Sequence, residues 1–312
     1  MNQTTNTILM IRPVAFRMNE QTAVNNYYQK ILENTTPETV NEKAQTEFDV
    51  FVEKLRGVGV NVIVVEDTLE PDTPDSIFPN NWISFHESGD VVLYPMFAEN
   101  RRLERREDIL DILEDEGFVV NDIMDYTSAE EDDIFLEGTG NLLLDRANGK
   151  AYCALSPRAE EELVIEFCED FEMDPIIFEA FHTVNGERKH IYHTNVMMCL
   201  GETFAVICID SIDDKQEAKL VLKHLKESGK EIVLITEEQV NNFAGNMLQV
   251  RGEDNEKYLV MSTAAYKSLT ADQINTLEKH SKILFSSLDT IEACGGGSAR
   301  CMMAEVFLPR EI

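Results

Sequence analysis

The chain of 312 residues carries 58 acidic against 27 basic side chains, a formal net charge of −31, with 43% hydrophobic and 27% charged residues. That length fits one large domain or two small ones, and the apolar share is ordinary for a soluble globular protein. The acidic excess excludes nucleic acid and anionic membrane surfaces as partners, because phosphate-bearing surfaces demand clustered Lys and Arg. It reads instead as a solvated acidic surface and says little about a substrate. The polar, non-basic stretch 1–7 and the short apolar run 8–11 give no leader or membrane span. Six irregularly spaced cysteines do not form a disulfide framework. Cys153, Cys199 and Cys208 sit in apolar runs and read as core. A reducing, cytoplasmic location follows as the expectation.

In chain order, Val40, Ala44, Phe48, Phe51, Val52 and Leu55 keep helical spacing up to Gly57. Segments 82–85 and 91–94 flank His86-Glu87-Ser88-Gly89-Asp90 and predict a hairpin. A helix over 103–113, ending at Gly117, follows. A second hairpin pairs 141–144 with 151–155 across a turn ending in Asn148-Gly149. Ser156-Pro157 then opens a helix over 159–171. The third hairpin pairs 195–200 with 204–209 across Gly201-Glu202, followed by a helix over 211–225 ending at Gly229. The fourth pairs 247–250 with 258–262 across Arg251-Gly252-Glu253-Asp254, followed by a helix over 272–283. Hairpin and helix alternate with helix centres about 55–60 residues apart, the mark of a repeat. A radial set of five such units sends loops from distant parts of the chain to one central axis. A doubly wound sheet would want a glycine fingerprint after its first strand, where Arg12-Pro13-Val14 has none.

Four polar clusters interrupt apolar strands at matching points of the repeats. They are Pro74-Asp75-Ser76-Ile77-Phe78-Pro79-Asn80-Asn81-Trp82, Phe135-Leu136-Glu137-Gly138-Thr139-Gly140-Asn141, Tyr192-His193-Thr194-Asn195 and Gly295-Gly296-Gly297-Ser298-Ala299-Arg300-Cys301. The three glycines allow close approach of backbone to a ligand, and the thiol after them stands where a loop meets an apolar strand over 302–308. A nucleophilic thiol needs such a rigid, electropositive place. His193 is the candidate proton carrier, since imidazole titrates near neutrality. Glu137 is the candidate that orients the ring and keeps it cationic. His182 and His190 stand as rival histidines in a polar loop. A metal site on His190, His193 and Cys199 is disfavoured, because His-Ile-Tyr-His lacks a helical zinc spacing and a completing ligand. Pairing of Cys294 with Cys301 across the glycine loop is a further alternative.

These motifs resemble the guanidino-group-modifying, or pentein, superfamily of arginine deiminases, dimethylarginine dimethylaminohydrolases and amidinotransferases. Within it the chain looks most like the citrulline utilization hydrolase branch, from Ile11-Arg12-Pro13 to Pro309. The resemblance implies a five-bladed α/β propeller of ββαβ units, with 1–312 forming one catalytic domain. It places Cys301 as nucleophile, His193 as the catalytic histidine and Glu137 as its partner. It places Arg101 and Arg158 on a substrate carboxylate, and Asp75, Asn80, Asn81 and Asn195 among the substrate-binding residues. No cofactor and no metal are implied; the partner is a small amino acid, and a homo-oligomer stays open.

The departures from the family pattern concern charge. Guanidinium-binding relatives carry carboxylates where this chain has Asn80, Asn81, Asn141 and Asn195. Each charged hydrogen bond is worth about 1.5–3 kcal/mol, so losing several disfavours a cation. The implied reaction is hydrolysis of a ureido C–N bond, citrulline giving ornithine, carbon dioxide and ammonia. Succinylarginine dihydrolases carry Asn in the comparable region and act on a guanidino group. Arginine deimination, dihydrolysis of a modified arginine, amidino transfer and a non-catalytic binding role therefore remain as alternatives.

Overall fold

The computed structural model describes residues 1–32 and 35–311. Strands β1 (Thr7–Arg12) and β2 (Asn61–Glu66) run parallel, Thr7 opposite Asn61. The helix Pro37–Gly57 connects them and buries Val40, Ala44, Phe48, Phe51, Val52 and Leu55, the stripe predicted from spacing. Thr36 caps it by accepting the Thr39 N–H.

The same plan then recurs, an antiparallel hairpin followed by a third strand parallel to its second. It is built by β3 (Ile83–Phe85), β4 (Asp90–Leu93) and β5 (Asp122–Asp125). It returns in β6 (Leu143–Asp145), β7 (Lys150–Leu155) and β8 (Asp174–Glu179). A two-stranded hairpin, β9 (Phe181–Val184) and β10 (Glu187–His190), is inserted next. The plan resumes with β11 (Met198–Leu200), β12 (Phe204–Ile207) and β13 (Glu231–Leu234). It closes with β14 (Leu248–Arg251), β15 (Lys257–Ser262) and β16 (Lys282–Ser286). Helices Asp108–Asp115, Glu161–Asp170, Lys215–Glu227 and Ala271–Leu277 supply the crossovers that parallel pairing requires.

The carboxyl-terminal strand β17 (Ala304–Glu305) lies antiparallel to β1, with Leu9 opposite Ala304. Both ends of the chain therefore build one sheet, giving it the same antiparallel-then-parallel order as the other four. Sheets meet edge to edge, β17 against β3 and β11 against both β6 and β14. The result is a mixed α/β fold of five three-stranded sheets and one hairpin among the described residues. No described helix is long and apolar enough to cross a membrane.

The four predicted hairpins are present, shifted by one to three residues at their ends. Three helices differ more, and the one expected over 211–225 begins at Lys215. The helix expected over 103–113 begins at Asp108, with a separate turn Glu99–Arg102 before it. The helix expected to reach 283 stops at Leu277, and Ile283 lies in β16. Apolar residues at 277, 283 and 284 fit either period, and pairing to β15 decides for the strand. The loop holding His182 and His190 is the β9–β10 hairpin, turned by Asn185 and Gly186 at φ 51° and 83°. Both residues have the positive φ that a type I′ turn needs.

Candidate active site

In four of the five sheets a tight helical turn precedes the antiparallel edge strand and points polar side chains toward one place. The turns are Pro79–Asn81 before β3, Gly138–Asn141 before β6, Thr194–Met197 before β11 and Ala299–Met302 before β17. A helical turn here replaces the extended start expected at 82, 141, 195 and 302. It redirects the chain and lets several side chains converge instead of alternating across a sheet. The turns pack on one another, Gly138–Asn141 against both Pro79–Asn81 and Thr194–Met197, and Pro79–Asn81 against Ala299–Met302.

Cys301, His193 and Glu137 are brought together at this convergence and are all nearly inaccessible, at 2%, 2% and 0% exposure. Cys301 and His193 line a small cavity of about 10 Å³ together with Asp75, Phe78, Asn81, Arg101, Arg158 and Tyr192, and Glu137 stands outside the lining, behind His193. His193 Nε2 lies 2.7 Å from Glu137 Oε2. An ionised carboxylate only accepts, so Nε2 carries the hydrogen and Nδ1 keeps its lone pair. Glu137 Oε1 accepts the Phe97 N–H at 3.1 Å, and Oε2 also accepts from Arg158 Nη1 at 3.3 Å. Arg101 Nη1 stands 3.9 Å from the same carboxylate.

The protonation states follow from this crowding. Burial alone would raise the Glu137 carboxyl; Arg158, then His193 and Arg101, outweigh it and hold the group far below its usual range. Burial pushes His193 down to about 4, with Glu137 opposing and the two arginines assisting. The expectation that Glu137 keeps the imidazole cationic is therefore corrected. The carboxylate's charge is already shared with two guanidinium groups, and what remains does not offset desolvation. In the resting site His193 is a neutral base.

The other expected residues fall as follows. Asp75 is 2% exposed; its Oδ2 accepts from Asn19 Nδ2 at 2.8 Å and Thr22 Oγ1 at 3.1 Å, while Oδ1 has no partner. Burial raises the Asp75 carboxyl against the pull of Arg101. Arg158 holds Asn25 Oδ1 and the Thr22 carbonyl and stacks over the Tyr192 ring at 4.8 Å. Arg101 reaches the cavity, but its guanidinium is engaged by Glu104 in a two-pronged ion pair at 2.9 Å and by Asn81 Oδ1 at 2.9 Å. Asn80 Nδ2 donates to Thr139 Oγ1 at 3.3 Å. Asn195 Nδ2 lies 3.7 Å from Cys301 Sγ. Asn81 lines the cavity, and Asn80 and Asn195 stand just behind its wall. Cys294 is a free, buried thiol in the helix Asp289–Gly295. Among the described residues no group of three or more His, Cys, Asp or Glu could hold a metal ion, and His182 and His190 belong to the hairpin, away from the cavity lining.

Sequence reasoning missed two features. Asn246, fully buried before β14, donates from Nδ2 to Cys301 Sγ at 3.2 Å. Its signal was present: Asn followed by two apolar residues opens the first strand at Asn81-Trp82-Ile83, Asn141-Leu142-Leu143 and Asn246-Met247-Leu248. The second is the segment from Asn19 to Lys30, which lies across the cavity. It ties to Asp75, to Arg158, to the Gly295 carbonyl through Asn26 Nδ2 at 3.2 Å and to the Ala293 carbonyl through the Lys30 N–H. No local pattern in that stretch marks its destination.

Two glycine positions are dictated by close approach. Gly295 faces the Phe78 ring, where a Cβ would sit 2.7 Å away. A Cβ on Gly140 would lie 2.5 Å from Asn81 Nδ2 and 2.9 Å from His193 Nδ1. Gly140→Ala therefore displaces the histidine without straining the backbone. We expect kcat/KM to fall about 100-fold with a stability loss of only about 1–3 kcal/mol. Kinetics and thermal unfolding of that variant check it; unchanged kcat/KM would mean the ring's place is not catalytic.

Comparison with solved structures finds the same fold in guanidino-modifying enzymes. The apo structure of ArgZ, a cyanobacterial arginine dihydrolase, matches with a TM-score of 0.74 at 16% identity over 98% of this chain and 41% of that one. The chain thus spans about two-fifths of the full-length ArgZ. The substrate-bound N-terminal domain of ArgZ, in a cysteine-to-serine mutant, matches at 0.70 and 17% identity, covering 97% of this chain and 99% of that one. A Pseudomonas aeruginosa DDAH mutant complexed with citrulline matches at 0.63 and 13%, covering 97% and 99%. No curated protein matches significantly. Residues 12–308, which carry every strand of the five sheets except β1, of which only Arg12 is included, match the family of eukaryotic N,N dimethylarginine dimethylhydrolase, and the chain belongs to that family within the guanidino-modifying penteins.

Proposed function

We propose that the chain is a cofactor-independent cysteine hydrolase of a C–N bond at the ureido or guanidino carbon of an amino acid, with citrulline as its substrate. The five sheets are read as the blades of one propeller domain over 1–312, working in the reducing cytoplasm that six free thiols suit. One observation carries the choice of a neutral group: Asp75 is the single carboxylate lining the cavity, against two guanidinium side chains. A guanidinium substrate would meet Arg101 and Arg158 with little to pair with, whereas a ureido group is matched by amide donors and acceptors. The unpartnered Asp75 Oδ1 beside Arg158 suits the ammonium and carboxylate of an amino acid, with Asn80, Asn81 and Asn195 orienting its other end. The segment from Asn19 to Lys30 moves aside for binding, since the closed cavity holds about one water molecule.

In this reading His193 Nδ1 takes the Cys301 thiol proton, and Sγ bonds to the ureido carbon. The imidazolium returns that proton to the terminal nitrogen, the C–N bond breaks and ammonia leaves. Neutral His193 then takes a proton from water as its oxygen attacks the thiocarbamate. The C–S bond breaks, the electron pair returns to sulfur, and the released carbamate decomposes to ornithine and carbon dioxide.

Arginine is the second reading, favoured by the arginine dihydrolase ArgZ, whose asparagine-to-serine variant is covalently bound to a reaction intermediate. Competition between citrulline and arginine, with ammonia and ornithine assayed, separates the two: citrulline is expected to have the higher kcat/KM. A higher value for arginine overturns the neutral-substrate reading and leaves the cysteine chemistry standing.

A further inference from the structure

Asn246 has a fully determined orientation. Its Oδ1 accepts the Arg300 N–H at 3.0 Å, so the nitrogen must face the other way. Nδ2 has two hydrogens and faces the Asn195 carbonyl at 3.0 Å, Asn195 Oδ1 at 3.3 Å and Cys301 Sγ at 3.2 Å, so one residue, Asn195, supplies both oxygen acceptors and the sulfur is the remaining one. Among the described residues the only other hydrogen-bonding contacts of that sulfur are to the Asn195 amide, at 3.7 and 3.8 Å. Arg300, next in sequence, turns its guanidinium away to the Met303 carbonyl and Glu305. His193 spends its Nε2–H on Glu137 and is uncharged. No cation therefore stands in hydrogen-bond contact with the sulfur.

We propose that the Asn246 side-chain amide is the hydrogen-bond donor that stabilises the Cys301 thiolate, in the place usually taken by an imidazolium. It is a catalytic residue in the direct sense, touching the reacting atom. An N–H donor binds an anionic sulfur more strongly than a thiol or a thioester sulfur. It therefore favours ionisation before attack. It also favours departure of sulfur at the end, when the C–S bond breaks and the electron pair returns to Sγ. The same amide anchors Arg300, so the glycine-loop turn and the donor are set by one side chain. Its position before β14 matches that of Asn81 and Asn141 in their sheets, so the fold presents an amide here by its own repetition.

The inference rests on reading Cys301 as the nucleophile, yet its test needs no turnover. Thiolate ultraviolet absorbance is titrated in the full chain, and the curve for Cys301→Ser is subtracted so that the five other thiols cancel. Asn246→Ala is expected to raise the Cys301 midpoint by about one to two pH units. Asn246→Leu removes the N–H at nearly unchanged side-chain shape and adds no charge beside the sulfur. Its midpoint should also rise, and it decides the matter if the alanine variant fails to fold. A folded variant whose midpoint stays at the wild-type value would overturn the proposal and leave Asn246 a structural anchor. Failure of the underlying reading shows separately, as turnover surviving in Cys301→Ser.

Discussion

Cys301→Ala is expected to lose turnover by at least about 10⁴-fold while remaining folded, because in the proposed mechanism the substitution removes the atom that forms the covalent bond and little else. The side chain is 2% exposed and packs in the cluster of Phe16, Phe78, Ile291 and Met303, so losing one sulfur leaves a small void. The structural cost is therefore small beside the catalytic one. Steady-state kinetics with thermal unfolding of the same preparation separate the two. Retained activity would move the nucleophile, and Cys294 is the nearest alternative in sequence. Its thiol is pushed up by burial and then by Glu47, the opposite of what a nucleophile needs.

Glu137→Gln damages both activity and stability. The carboxylate faces Arg158, His193 and Arg101 and has no exposure to water. Neutralising it leaves two buried guanidinium groups, one of which, Arg101, still has Glu104. Breaking a buried pair costs about 3–5 kcal/mol. The imidazole also loses its charged anchor, and kcat/KM falls about 10²–10⁴-fold. Equal kcat/KM in the variant would remove Glu137 from the catalytic group.

The same cluster sets an acid sensitivity. His193 has a folded value of about 4 against an ordinary 6.5, so between those values the unfolded chain binds the extra proton. Stability from this group is full above about pH 6.5 and declines toward pH 4, by about 3 kcal/mol in all. Glu137 acts in the same direction lower down, since its folded value lies below its ordinary 4.5. Burial raises the Glu104 and Glu292 carboxyls to about 7, and these groups act in the opposite direction over the same range. The His193 contribution is therefore read as the difference between wild type and His193→Asn in thermal unfolding across pH 4–7, which is expected to shrink toward pH 4; a difference independent of pH would mean that His193 is not held neutral.

The sequence carried much of this because periodicity and turn chemistry are local. Gly89 and Gly149 marked hairpin turns, and the stripe from Val40 to Leu55 marked a buried helix face. Cys301, His193 and Glu137 were singled out because each lies in a polar cluster shortly before a strand of its repeat. The completion of the first sheet was not, since β1 finds β17 from the far end of the chain. Nor was the charge on His193, which depends on Arg101 and Arg158 arriving from elsewhere in the chain. The β9–β10 hairpin was missed although Asn185-Gly186 announces it, because the charged residues around the turn hid the strand alternation. Asn246 was missed because the four-cluster pattern stopped one repeat short.

The central claim is covalent catalysis by Cys301, and acid-quenched protein digested with trypsin after incubation with citrulline or arginine tests it most directly. Cleavage after Lys282, Arg300 and Arg310 places Cys294 in the peptide 283–300 and Cys301 in the peptide 301–310. The expected result is a substrate-derived adduct on 301–310 that disappears as substrate is exhausted. An adduct on 283–300, or full turnover with no adduct under any quench, would contradict the account.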